Sequence, residues 1–167
     1  MRISQVALSG FGRIFLLLVV GAFMAVPTLS QEKKHTHSHT FTAGEPGDPK
    51  KPARIIEVLM GRQEPKMFFK PDVVEVRRGE QIRFVLKNID PLKDHEFVLA
   101  TREENQKHAE EMKASPNMKH DDPNGKTLSS SEHKELIWRF TRTGEFEFSC
   151  NLPGHREAGM VGKVIVK

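Results

Sequence analysis

From Arg54 to the C-terminus the chain falls into short runs whose apolar side chains recur at every second residue. No other property of the sequence narrows the possible folds as far. The runs are "RIIEVLM" (54–60), "DVVEV" (72–76), "QIRFVLKN" (81–88), "HEFVL" (95–99), "ELIWRF" (135–140), "EFEFSC" (145–150) and "VGKVIV" (161–166). They are rich in β-branched and aromatic residues, and Gly, Pro, Asn and Asp punctuate them. Such a period describes strands with one face buried. Seven of them in this length predict an antiparallel sandwich of two sheets, an all-β fold.

One segment interrupts the pattern. "TREENQKHAEEMKAS" (101–115) has no β-branched residue after Thr101, many helix formers, and Pro116 just past its end. It predicts a helix inserted between strands. A polar loop, "PNMKHDDPNGKTLSSSEH", follows it. The connection from 101 to 133 is long for a sandwich, and long connections tend to carry function.

The N-terminus sets the compartment. Arg2 and Arg13 precede the uncharged run "IFLLLVVGAFMAV" (14–26), and "PTLSQ" offers the small residues Thr28 and Ser30. This is the layout of a secretory signal peptide over residues 1–30, cut after Ser30. The apolar run is short against the roughly 20 residues of a spanning helix, so no stable membrane insertion is expected after cleavage. Removing Arg2 and Arg13 lowers the formal net charge from +4 to +2, too weak to mark nucleic acid or anionic lipid as a partner. Residues 31–53 are polar and rich in Gly, Pro and Lys, and predict a flexible tail ahead of a domain over 54–167.

Cys150 is the only cysteine. In an exported chain it can make no internal disulfide, so it is a spare thiol or a metal ligand. Its neighbours favour the ligand. In "FSCNLPGHREAGM" (148–160) Cys150, His155 and Met160 are spaced five apart, with Pro153, Gly154 and Gly159 to shape a tight loop. Alternation turns Cys150 to the face of Phe146 and Phe148, and His95 to the face of Phe97 and Leu99. A thiolate, two imidazoles and a distant thioether form a ligand field suited to copper in both oxidation states.

The order His95 … Cys150-x4-His155-x4-Met160, between "VVEVRRGEQIRFVLKN" and "VGKVIV", resembles the cupredoxins, the small type 1 copper proteins. More narrowly, "DHEFVLAT", "HAEEMKASPNMKHDDPN" and "CNLPGHREAGMVGKV" resemble the periplasmic cupredoxins associated with copper tolerance in Gram-negative bacteria. The resemblance covers roughly residues 54–167. It implies a cupredoxin-like Greek-key β-sandwich with a helical insertion, one type 1 copper, and the ligands His95, Cys150, His155 and Met160. Glu96 follows His95 where plastocyanins and azurins usually carry an Asn that helps to pin the Cys loop.

Further His and Met residues lie outside this set. His35, His37 and His39 alternate in the tail, where neutral imidazoles can chelate Cu(II) or Zn(II), or stand as incidental residues of a solvated tail. The insertion holds His108, Met112, Met118 and His120, and His133 follows. His108 and Met112 share a helix face, which serves either a second soft copper site or packing.

Catalysis has no support: the chain lacks a Ser/His/Asp set, a phosphate loop and HExxH. A trinuclear oxidase cluster needs a His-Cys-His element, but Ser149 and Asn151 flank Cys150. A two-copper site needs two cysteines. The expectation is a monomeric periplasmic copper-binding protein that serves tolerance, or a soluble electron carrier docking on a redox partner. An accessory domain to an oxidase or reductase is the third reading.

Overall fold

The computed structural model describes residues 41–115 and 122–167. The expected signal peptide and His35, His37, His39, Met118 and His120 lie outside the described residues. Ten strands and one helix follow in order: β1 (Glu45–Pro46), β2 (Arg54–Gln63), β3 (Lys66–Lys70), β4 (Val73–Val76), β5 (Gln81–Asn88), β6 (His95–Ala100), α1 (Arg102–Ala114), β7 (Gly125–Leu128), β8 (His133–Arg139), β9 (Gly144–Ser149) and β10 (Val161–Val166). They form two five-stranded sheets, ordered β1-β8-β5-β2-β3 and β4-β10-β9-β6-β7. The expectation of a wholly antiparallel sandwich needs correction. β2 runs parallel to β5, and β4 parallel to β10. Each parallel pair requires the chain to cross over between sheets.

The core follows from the alternation. β5 buries Ile82, Phe84 and Leu86, and β10 buries Val164 and Val166. Phe97 stacks on Phe148 with ring centroids 5.0 Å apart, and Phe69 of β3 meets Phe148 edge-on at 5.1 Å. Burying each such ring contributes about 1.5–3 kcal/mol. β6 breaks the alternation, being buried at every residue. Its inner face meets the core, while α1 covers its outer face and that of β9, so that Glu96, Glu147 and Ser149 are also buried.

The helix starts where expected. Thr101 Oγ1 accepts from Glu104 N–H at 3.1 Å, and Glu104 Oε2 accepts from Thr101 N–H at 2.8 Å. This reciprocal cap contributes about 1 kcal/mol. Asn105, Ala109 and Met112 form its buried face.

Residues 41–53 also differ from expectation. The sequence predicts a flexible tail here, and these residues instead pack on the sandwich. Phe41 meets Trp138 edge-on at 5.3 Å, Trp138 Nε1 donates to Ala43 O at 3.1 Å, and Thr42 Oγ1 donates to Glu104 Oε1 at 2.7 Å. A buried indole N–H needs an acceptor, and this segment supplies it. No helix among the described residues is long and apolar enough to cross a membrane.

Candidate metal centre

Two elements deliver the centre. His95 opens β6, and the loop from Cys150 to Met160 joins β9 to β10. Backbone hydrogen bonds close that loop on itself: Cys150 N to Met160 O at 3.1 Å, Met160 N to His155 O at 3.1 Å, and His155 N to Leu152 O at 3.0 Å. Gly154 and Gly159 sit at φ +84° and +96°, which a side chain would strain. β3 holds the loop from outside through Met67 N–H to Ala158 O at 2.9 Å.

The outcome is a convergence of donors. His95 Nδ1 lies 3.2 Å from His155 Nδ1, which lies 3.2 Å from Cys150 Sγ. One ligand atom from each residue falls within 4.8 Å of the others. His95 and Cys150 are wholly buried and His155 is 8% exposed. Two ring nitrogens and a sulfur face one another here, with His155 Nδ1 shared between the other two. A cation between them satisfies all three. A His2Cys donor set suits copper. Met160 is fully buried at the loop's end.

The electrostatics match. Burial pushes the Cys150 thiol up to about 12, against the opposing Glu96 N–H, which donates to Sγ at 3.2 Å. Burial draws His155 down to about 4, helped by His95. His95 is also lowered by burial, with Asp90 opposing. At neutral pH both imidazoles are therefore neutral, ready to ligate, and the thiol gives up its proton only to a metal.

Glu96, the residue that departs from the expected Asn, pins the loop by another route. Its Oε2 accepts from Asn151 N–H at 3.3 Å. His108 of α1 faces the same oxygen at 3.6 Å. A second tie runs from the helix: Asn151 Nδ2 donates to Asn105 Oδ1 at 3.1 Å, and Ser149 Oγ donates to Asn151 Oδ1 at 2.7 Å. Asn105 Nδ2 in turn reaches Glu147 O at 3.3 Å. The helical insertion thus braces the residue that follows Cys150. Sequence reasoning missed Asn105 and Asn151. The spacing of Asn105, His108, Ala109 and Met112 on one helical face was the available signal.

Of the expected auxiliary residues, Met112 is buried on the packing face of α1 and His108 faces Glu96. His133 is exposed at the start of β8.

A two-sheet sandwich that gathers His, Cys and His from a strand end and one loop defines the cupredoxins, the type 1 copper class. The chain belongs to the plastocyanin/azurin family of copper-binding proteins, which it matches over residues 56–167. It is 44% identical over 133 residues to the copper-resistant cuproprotein CopI of Rubrivivax gelatinosus, covering 80% of this chain and 78% of that one. It is 36% identical over 180 residues to the copper-resistant cuproprotein CopI of Pseudomonas aeruginosa, covering 90% and 94%. Among solved structures, reduced auracyanin from Roseiflexus castenholzii superposes with a TM-score of 0.59 at 22% identity, covering 70% of this chain and 99% of that one. That last likeness is one of fold.

Proposed function

We propose that this chain is an exported copper-handling protein serving copper tolerance, with His95, Cys150 and His155 holding one type 1 copper and Met160 as its weak fourth ligand. The convergence of Nδ1, Nδ1 and Sγ within 4.8 Å in a buried site carries the ligand assignment. Bound copper supplies a one-electron couple and a firmly held ion. The protein's residues supply the rest. The braced loop fixes the donors before metal arrives, the Glu96 N–H stabilises the thiolate, and burial excludes water. Four protein donors leave no open position for a substrate, so we read no enzymatic activity.

The names of both CopI relatives support tolerance as the task. The basic start, apolar run and small residues of the N-terminus support export to the periplasm and removal of residues 1–30. The same site would also serve an electron carrier, and one comparison separates the two. Cells lacking the protein should become copper-sensitive and respire normally. Normal copper resistance with slowed respiration would instead make it a carrier for a redox partner.

A further inference from the structure

Behind His95, on the side away from Cys150, lies a buried carboxylate, paired with a partly exposed arginine, that the donor set does not include. Asp90 is 2% exposed and precedes His95 in the β5–β6 connection. Its Oδ2 lies 3.4 Å from His95 Nε2 and 3.2 Å from Arg62 Nε of β2, contacts of charge rather than aligned hydrogen bonds, so that Oδ2 and Nε2 are buried facing one another with no other polar partner. Its Oδ1 accepts from Leu92 N–H at 2.9 Å and Lys93 N–H at 3.2 Å. Asn88 locks the connection further. Its Oδ1 accepts from Asp90 N–H at 3.0 Å, and its Nδ2 donates to Lys93 O at 2.8 Å. The carboxylate is therefore held in one place.

We propose that Asp90, steadied by Arg62, is a positioning residue for His95: it fixes the imidazole as the Nε2–H tautomer, leaving Nδ1 to face Cys150 and His155, and its charge biases the site toward the oxidised metal. A carboxylate accepts and cannot donate, so the ring nitrogen facing it carries the proton. The other nitrogen is then a free electron pair, and a carboxylate partner raises the basicity of a ligating imidazole. Arg62 partly offsets the negative charge, so the two side chains push the metal's redox balance in opposite directions. This inference rests on His95 being a ligand in the proposed copper site, yet its first readout needs no metal.

The test uses the mature chain with its histidine rings labelled for nitrogen NMR. In the metal-free native protein His95 should be a single Nε2–H tautomer; an Nδ1–H ring there overturns the proposal. Asp90→Asn keeps the shape but can present an N–H to Nε2, and should populate the Nδ1–H form. It should also weaken Cu(II) binding about 10- to 100-fold, the usual loss for a ligand's supporting carboxylate. In the copper-loaded protein Asp90→Asn should raise the reduction potential and Arg62→Met should lower it. A tenfold change in the ratio of Cu(II) to Cu(I) affinity reads as about 59 mV for one electron. An unchanged tautomer in Asp90→Asn, or potentials that move in the same direction in both variants, overturns the proposal. A native protein that binds no copper would sink the copper assignment, and the metal-free tautomer would still decide the role of Asp90.

Discussion

Replacing Asn105 by Ala cuts the brace between the inserted helix and the Cys150 loop. Asn105 is wholly buried; its Oδ1 accepts from Asn151 Nδ2 at 3.1 Å, and its Nδ2 reaches Glu147 O at 3.3 Å and Val98 O at 3.4 Å. The two carbonyl contacts are long and add little. The main loss is the orphaned Asn151 amide, which costs about 1–3 kcal/mol when buried. Ala is the better helix former and returns about 0.5 kcal/mol. Asn105 also lines a cleft of about 260 Å³. The net loss is therefore about 1.5 kcal/mol, which for a domain of this size lowers Tm by about 6 °C. Thermal unfolding followed by circular dichroism measures it on the metal-free protein. Because Asn151 follows Cys150, the visible band of the copper form should shift as well. Asn124→Ala provides the control: Asn124 lines the same cleft and donates to Leu99 O at 2.9 Å, so its loss should lower Tm and leave the band in place. Melting of Asn105→Ala within 1 °C of the parent, ~0.25 kcal/mol on the same conversion, would refute the brace.

Three other outcomes follow from the site and its surroundings. Met160→Leu should keep copper but raise its reduction potential, because a thioether that helps to stabilise Cu(II) gives way to an apolar side chain; redox titration reads the sign. His108 is raised above its ordinary pKa by Glu96, so its contribution to stability is complete below about pH 6.5 and fades as pH climbs through the raised value. His155 and His95, both lowered, act with the opposite sign and weaken the metal-free fold as pH falls below about 6.5. His108→Gln should therefore remove stability at pH 6 and little at pH 9, and equal losses at both would rule out the Glu96 pairing. Finally, we expect His35, His37 and His39 to bind copper beyond the type 1 ion. Native mass spectrometry should count more than one copper per chain at neutral pH, and the excess should vanish when all three become Ala.

Much of the sandwich was legible because period-two alternation is a local property. β5 and β10 fall on the expected residues, and α1 falls within the expected 101–115. Three strands were not legible. β1 is two residues with a Pro, β3 is "KMFFK" between Pro65 and Pro71, and β7 is "GKTL" inside a polar loop. Each is too short to show a period, and each is fixed by its partner strand. Parallel pairing has no local signature either, since it is decided by which sheet the chain enters next. At the site, residue type and spacing pointed to His95, Cys150, His155 and Met160, because donor chemistry is written in residue identity. Asp90 and Glu96 were opaque for the opposite reason. "NIDPLKD" reads as a turn, and only the approach of Arg62 from β2 gives the buried Asp90 its ion pair. Glu96 reads as a departure from pattern until Asn151 and His108 meet its carboxylate.

The central claim is that Cys150 is the thiolate ligand of a type 1 copper. Visible absorption of the mature protein titrated with Cu(II) tests it most directly, alongside Cys150→Ser. An intense sulfur-to-copper band should saturate with the first copper, because a buried thiol held up to about 12 gives up its proton only to the metal, and the Ser variant should show no such band. A colourless copper complex of the native chain, or a band that survives Cys150→Ser, would contradict the claim.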